Sequence, residues 1–231
     1  QDPETILDIV IEAVTKITDG SDVSAIGVTG QMHGILYLDE NNAPASPLFT
    51  WQDLRGNEKF EGGMTYAEYL TENTGYKAAT GFGLTTHFYN LKNRLVPKRA
   101  RKISTIHDYI VSHLTDSAPV THSSDAASLG FYDLRHHQFD NVALLEAGID
   151  PEILPKVIKN TRIAGTTKCE FLPDGIPVSV AIGDNQASFI GSMINPDKSI
   201  LVNVGTGSQI SFITTSLKAT ESGETRPLTD D

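Results

Sequence analysis

The chain has 231 residues and a net charge of −11 at pH 7, with 29 acidic against 18 basic side chains. This charge disfavours nucleic acid and anionic membrane as partners. The single cysteine, Cys169, excludes a disulfide within the chain and fits a reducing compartment. No apolar run approaches the ~20 residues of a membrane span, and no basic-then-apolar signal opens the chain, so we expect a cytoplasmic protein without a membrane partner.

A packing helix is predicted near the start of the chain. Asp2-Pro3 is a typical helix start, because proline is favoured at the first helical position. Apolar residues then recur at helical spacing and stop before Gly20. The apolar stripe consists of Ile6, Ile9, Val10, Ala13, Val14 and Ile17.

The segment 26–39 combines two short apolar strands with a polar centre. Gln31, Met32 and His33 lie between the strands and are bracketed by Gly30 and Gly34. The glycines remove side-chain bulk around a cluster of donors and acceptors. Recognition of a polyol needs such groups, so this segment is a candidate binding element.

The next candidate element is Trp51-Gln52-Asp53-Leu54-Arg55. The Trp51 ring can stack on the C–H face of a sugar, while Asp53 and Arg55 can hold its hydroxyls. A core tryptophan beside a surface ion pair explains the same residues equally well. Both interpretations stay open at this point.

The middle of the chain reads as helices and short strands punctuated by glycine and proline. The basic residues in 94–102 are interpreted as a solvated face. The predicted elements are helical segments in 56–79 broken at Gly62-Gly63 and Gly75, a helix capped by Thr85-Thr86 that ends before Pro97, a strand at 103–106, and helices at 107–114 and 141–148.

The last third of the chain has an ordered series of elements: a strand, a carboxylate, a helix, a second strand and a Gly-Thr-Gly turn. The strand 178–183 precedes Asp184, an apolar helix is predicted over 185–194, and the strand 200–204 leads into the turn at 205–207. The carboxylate can act as a base, and the turn can aim backbone N–H groups at phosphate. Taken singly, Asp184 could also be a helix N-cap and the turn only a tight turn.

Seven histidines raise the possibility of a metal hydrolase. A metal site needs clustered ligands such as H-E-x-x-H, and these histidines are scattered along the chain. We therefore expect no protein-ligated metal.

Five motifs in order give the chain a resemblance to the FGGY family of carbohydrate kinases, from about residue 1 to about residue 212. The Gln-Met-His-Gly element is most similar to the xylulokinase and sedoheptulokinase branches. The motifs are Gly30-Gln31-Met32-His33-Gly34, Trp51-Gln52-Asp53-Leu54-Arg55, Asp125-Ala126-Ala127-Ser128, Gly183-Asp184-Asn185-Gln186-Ala187 and Gly205-Thr206-Gly207.

This resemblance implies an α/β fold of the ribonuclease H-like, actin-type class. It assigns 1–195 to an incomplete N-terminal, sugar-binding domain and 196–231 to the beginning of a C-terminal, nucleotide-binding domain. The family's first phosphate loop and its adenosine site are not recognised in the sequence, so the 231 residues alone are expected to be inactive.

The resemblance also implies the roles of individual residues. Asp184 is the general base for a ketose hydroxyl, with ATP and Mg²⁺ as cofactors, and a homodimer is possible. His122 stands where relatives often have Asp, which bears on the identity of the sugar. The alternatives are a sugar-binding piece without catalysis, or a kinase for gluconate, ribulose or glycerol. The implied substrate-binding residues are Gln31, Met32, His33, Trp51, Asp53, Arg55, Asp108 and Asn185, and the implied phosphate-binding residues are Gly205, Thr206 and Gly207.

Overall fold

A computed structural model describes residues 1–159, 163–195, 198–204, 208–214 and 223–228. This part of the chain is a mixed α/β structure. Its helices are α1 (Pro3–Thr18), α2 (Tyr66–Thr74), α3 (Gly83–Lys92), α4 (Ile106–Thr115), α5 (Ser123–Leu129), α6 (Asn141–Glu146) and α7 (Asp184–Ser192). Short 3₁₀ helices lie at Arg55–Asn57, Glu61–Gly63 and Pro151–Ile153.

The strands are short and pair two by two. The β1·β10 and β4·β7 pairs are parallel, and the β2·β3, β5·β6, β8·β9 and β11·β12 pairs are antiparallel. The strands are β1 (Thr29–Gly30), β2 (Leu36–Leu38), β3 (Lys102–Ser104), β4 (Val120–His122), β5 (Tyr132–Asp133), β6 (Gln138–Phe139), β7 (Lys156–Ile158), β8 (Ile163–Thr166), β9 (Pro177–Ser179), β10 (Ile182–Gly183), β11 (Ile200–Val204) and β12 (Ser208–Phe212).

Strand β2 separates two apolar cores. Ile35 and Tyr37 face one core, which includes residues of α2, α3 and α5. Leu36 and Leu38 face the other, which is closed by α1 and α4. Successive side chains of a strand point to opposite faces, so a strand buried on both faces must be apolar throughout. The run Ile35-Leu36-Tyr37-Leu38 meets that requirement.

Local capping signals correctly predict the start of α1 and the end of α2. The Asp2 side chain caps α1 by accepting from the Glu4 N–H at 3.1 Å, and Pro3 opens the helix. Helix α2 ends at Gly75, whose left-handed conformation suits glycine.

Helix α3 begins earlier than predicted, with Phe82 rather than Thr85-Thr86 at the cap. Thr85 and Thr86 are buried inside the helix. A Cβ on Gly83 would lie 2.5 Å from Ile35 and 2.6 Å from Leu129, so close packing of Gly83 against the core fixes this start. The prediction of a threonine cap was wrong because tertiary packing outweighed the capping preference.

In the last third of the chain, the strands and the helix differ in part from those that the apolar periodicity predicts. The predicted strand 178–183 is divided into β9 and β10, and α7 ends at Ser192 rather than at 194. Phe189 is buried, but Ile194 is 96% exposed and so does not extend the apolar face. The β11·β12 pair exposes Ile200, Val202, Val204, Ile210 and Phe212.

Two left-handed glycines provide a matched test of the packing. Gly75 and Gly81 have φ of 72° and 83°. A Cβ added at Gly81 would overlap the Trp51 carbonyl, whereas a Cβ added at Gly75 would have no atom of the described residues within 4 Å. Gly75→Ala should cost ~1–2 kcal/mol of unfolding free energy for the left-handed conformation. Gly81→Ala should cost about 1–3 kcal/mol more for overpacking. Urea unfolding of both variants measures the difference, and equal losses would contradict this packing.

Candidate functional site

The β1·β10 pair brings the two principal motifs to one edge of the fold. Thr29 lies opposite Ile182, and Gly30 lies opposite Gly183. The pairing begins earlier, where the Ile26 N–H donates to the Pro177 carbonyl at 2.8 Å. Because the segments run parallel, Gln31 and Asp184 leave the same end of the pair, where ligands bind in open α/β sheets.

Gly183 permits close contact at this edge. A Cβ there would overlap Met32 and would lie 2.8 Å from Asp125 Oδ1. Any larger residue would push apart the two motifs. The glycine is therefore required by packing as well as by its place before α7.

Asp184 is the first residue of α7 and is exposed. The N-cap is Gly183, so the alternative interpretation of Asp184 as an N-cap was wrong. Its Oδ1 accepts from the Asn185 N–H at 2.9 Å, and Asn185 is also exposed. The carboxylate thus lies at the positive end of a helix with an open face, where it can accept a proton.

The His33 ring is held in a defined tautomer, near the end of β1. Its backbone is left-handed, with φ of 69°, and its ring stacks on Phe82 at 4.4 Å between centroids. Burial lowers the pKa of His33, and the Arg226 charge lowers it further, so the ring is neutral at pH 7. Nδ1 donates to the Ser128 carbonyl at 2.7 Å, which leaves Nε2 as an acceptor.

The acceptor nitrogen of His33 is engaged by a residue that the sequence motifs did not indicate. Arg226 Nη2 donates to His33 Nε2 at 3.1 Å, and Arg226 Nη1 lies 3.1 Å from Met32 Sδ. Glu224 Oε1 accepts from Arg226 Nε at 2.8 Å. No local pattern could indicate a contact between side chains 193 residues apart.

Trp51 lies in a loop just before the 3₁₀ helix at Arg55–Asn57. The indole residue is 55% exposed, which contradicts a core tryptophan. Its carbonyl packs against Gly81, and the following residue, Phe82, stacks on His33. Gln31 is half-buried at the edge next to Met32. The loop thus places an open aromatic surface near the motif, although sequence reasoning missed Phe82 as the link.

Asp53 and Arg55 are directed into the fold rather than toward His33. Their ion pair, 2.7 Å long, is largely buried, and the guanidinium lies 4.4 Å from the Phe49 ring centre. Arg55 donates to Asn90, Asn90 donates to the Tyr37 hydroxyl, and that hydroxyl bonds His87 Nδ1 at 2.8 Å. Burial lowers the pKa of His87 to about 4, so His87 is the neutral acceptor that ends this chain.

Asp108 is enclosed rather than exposed to the edge, with 1% of its surface accessible. It lies beside His107, whose Nε2 is 3.2 Å from Asp125 Oδ2. Burial lowers the pKa of His107, but the nearby Asp125 carboxylate outweighs it and the pKa rises to about 9. Burial also raises the pKa of Asp108, against the opposing effect of His107.

His122 has a structural role. It is the N-cap of α5, and its Nδ1 accepts from the Ser124 N–H at 3.2 Å. A ring nitrogen there supplies the acceptor that an aspartate would supply at an N-cap. The cap accounts for His122 locally, and the expectation that it bears on the sugar stays a prediction.

Other predictions concern phosphate, metal and membrane. Gly205, Thr206 and Gly207 lie outside the described residues, although Val204 and Ser208 on either side are paired in β11·β12. Across the described ranges, no three His, Cys, Asp or Glu side chains form a group that could hold a metal ion. Of the helices in the same ranges, none is long and apolar enough to cross a membrane.

Comparison with known proteins gives consistent matches. The sequence model of the FGGY family of carbohydrate kinases, N-terminal domain, matches residues 1–191. Xylulose kinase from Streptomyces rubiginosus is 29% identical over 224 residues, which are 92% of this chain and 46% of that protein. Sedoheptulokinase from Mus musculus is 32% identical over 207 residues, which are 81% of this chain and 42% of that protein. The chain therefore spans less than half the length of these curated relatives.

Solved structures confirm the predicted fold class. A ligand-bound xylulose kinase from Lactobacillus acidophilus superposes with a TM-score of 0.75 at 24% identity, over 90% of this chain and 44% of that chain. Plasmodium falciparum glycerol kinase with ADP gives a TM-score of 0.74 at 22% identity, over 91% of this chain and 46% of that chain. The chain has the ribonuclease H-like, actin-type fold of these sugar kinases.

The buried His107–Asp125 pair predicts a pH dependence of stability. The folded pKa of His107, about 9, exceeds its ordinary value of 6.5, so its contribution is complete below pH 6.5 and is lost as pH rises to 9. The loss has an upper limit of about 3 kcal/mol. The pKa of Asp108 is raised from 3.8 to about 7, so Asp108 also lowers the unfolding free energy as pH rises through that range.

Urea unfolding of the wild type and Asp125→Asn between pH 6 and 9.5 measures this effect. The wild type should lose unfolding free energy with rising pH, and the variant should show a much flatter profile. The same slope in both proteins would show that Asp125 does not control the titration of His107.

Proposed function

Because the chain belongs to the FGGY family of carbohydrate kinases, we propose that it supplies the sugar-binding part of an enzyme that phosphorylates a ketose with ATP. The observation that carries the proposal is the pairing of Gly30 with Gly183. It places Gln31, Met32 and His33 beside Asp184 and Asn185, so that polar recognition groups and a candidate base share one edge.

The proposed substrate is a xylulose-like or sedoheptulose-like ketose. Named xylulose kinases and sedoheptulokinases among the relatives support this class. Neutral His33 donates through Nδ1 to the Ser128 carbonyl, so its acceptor Nε2 is the nitrogen that a sugar hydroxyl would contact, in place of Arg226 Nη2. The exposed Trp51 offers an apolar face for the C–H side of the ring or chain.

In the proposed reaction, Asp184 accepts the proton of the sugar's primary hydroxyl while that oxygen attacks the γ-phosphorus of ATP. The bond from the γ-phosphorus to the bridging oxygen breaks, and ADP leaves. The exposed position of Asp184 at the start of α7 permits this contact. Asn185 is adjacent and is proposed to hold a neighbouring hydroxyl.

We propose that Gly205, Thr206 and Gly207 bind the phosphates of ATP, because the backbone N–H groups of such a turn can cradle phosphate. Mg²⁺ commonly binds through phosphates, water and only one or two carboxylates. An exposed carboxylate at the described edge, such as that of Asp184, would fit such a site, where the metal would neutralise phosphate charge.

We also propose that 1–195 form the sugar-binding domain and that 196–231 begin the nucleotide domain. The family match over 1–191 supports the first boundary. The exposed apolar side chains of β11·β12 support the second, because a domain of the relatives' length would offer them further partners.

Asp184→Asn tests the base. In the full-length protein this variant should fold normally and lose 10²–10⁴-fold in turnover, roughly the contribution of general-base catalysis, because an amide cannot take the proton. Sugar affinity should change far less. The matched control is exposed Asp22→Asn, and a coupled ADP-release assay with xylulose and sedoheptulose gives kcat. Turnover of Asp184→Asn within about threefold of wild type would remove Asp184 from the mechanism.

His33→Asn tests the sugar contact without adding backbone strain, because asparagine tolerates the left-handed conformation better than alanine does. Its side-chain amide can still donate to Ser128, but the Nε2 acceptor is lost. In this structure Nε2 accepts from Arg226, and in the proposed complex a sugar hydroxyl takes that place. The KM for sugar should therefore rise about 5- to 150-fold, the equivalent of one lost buried hydrogen bond, while the KM for ATP stays constant. Exposed His136→Asn is the control. Equal effects on both substrates would make His33 structural.

A further inference from the structure

Arg226 occupies an unusual position at the edge formed by Met32 and His33. Only 12% of its side chain is exposed, and the following residue, Pro227, is buried. The segment 223–228 thus lies against the fold rather than in solvent. None of the motifs that identify the site includes this segment.

The contacts of the guanidinium leave one edge poorly satisfied. Nε and Nη2 donate to Glu224 Oε1 at 2.8 and 2.6 Å, and Nη2 also donates to His33 Nε2. Among the described residues, Nη1 donates to the thioether of Met32, which is a weak acceptor. A largely buried guanidinium whose Nη1 donates to sulfur favours a stronger oxygen acceptor in that position.

The location of that edge identifies the ligand. Met32 packs against Gly183, the residue before Asp184, and His33 presents its acceptor nitrogen to the same guanidinium. An oxygen that replaces sulfur as the partner of Nη1 would therefore lie between the sugar-binding motif and the candidate base. This is where the proposed function places the sugar.

The charges around Arg226 favour a neutral ligand. The guanidinium is already paired with Glu224, and the charge of the Asp125 carboxylate also acts on His33. A carboxylate or phosphate group on the ligand would compete with Glu224 and meet repulsion from both acids. A hydroxyl or carbonyl oxygen needs no such exchange.

We propose that Arg226 is a substrate-binding residue, which donates through Nη1 to one oxygen of a neutral sugar, and that Glu224 sets the preference against sugar acids. This assignment rests on the proposed sugar kinase function. It makes 223–228 part of the sugar site, although the segment lies 193 residues from His33 in sequence.

The first experiment measures KM and kcat of the full-length protein for xylulose, sedoheptulose, ribulose, glycerol and gluconate. Arg226→Met should raise the KM for the preferred sugar about 10- to 100-fold, as expected for a charged hydrogen bond, and leave the KM for ATP within about twofold. Arg226→Lys should restore part of the loss. Exposed Arg135→Met is the control and should match the wild type. An unchanged sugar KM in Arg226→Met would overturn the assignment.

Mono-deoxy analogues of the preferred sugar separate a direct contact from a purely structural latch. Direct donation predicts that removal of one particular oxygen weakens wild-type binding but has no effect on Arg226→Met. A latch predicts the same factor for every analogue, and that result would overturn the proposal. Glu224→Gln should raise the ratio of kcat/KM for gluconate over the ketose, and an unchanged ratio would remove Glu224 from specificity.

Failure of the proposed kinase function can be distinguished from failure of the Arg226 assignment. If wild-type protein phosphorylates none of these sugars, the proposed function is wrong, and titration calorimetry with the same panel then decides Arg226. Weaker sugar binding by Arg226→Met than by Arg135→Met would support the contact. Equal affinities, or no sugar binding by the wild type, would overturn it.

Discussion

The close approach of Gly30 and Gly183 is the constraint on which the site depends. Both positions are tightly packed, because a Cβ on Gly30 would lie 3.0 Å from His107 Nδ1 and one on Gly183 would overlap Met32 and approach Asp125. Backbones that approach this closely hold the two polar motifs at one edge. A wider separation would leave each motif intact and still pull the recognition groups away from Asp184.

The same two glycines connect the edge to the interior. Gly30 lies on His107, Gly183 lies on Asp125, and these two side chains form the buried ion pair beneath the strands. A buried pair is strongly destabilising when one partner is lost, because the other charge stays without compensation. The electrostatics under the site therefore help to maintain the strand spacing that the site needs.

Sequence patterns predicted the features whose causes are local. A few neighbouring residues determine the N-cap of α1 and the glycine at the end of α2, so the sequence alone predicts both. The start of α3, the inward direction of Arg55 and the enclosure of Asp108 depend on packing against distant elements. Asp125 lay within a recognised motif, but its pairing with His107 required the relative position of α4 and α5, which periodicity does not contain.

The left-handed backbone of His33 has a consequence for altering substrate range. A residue at this position must tolerate φ of 69° as well as offer suitable chemistry, so β-branched and bulky residues would impair folding before they affect recognition. A mutant library at position 33 would therefore contain many misfolded members. Phe82, which stacks on the ring and has an ordinary φ of −67°, offers a more tolerant position from which to reshape the same surface.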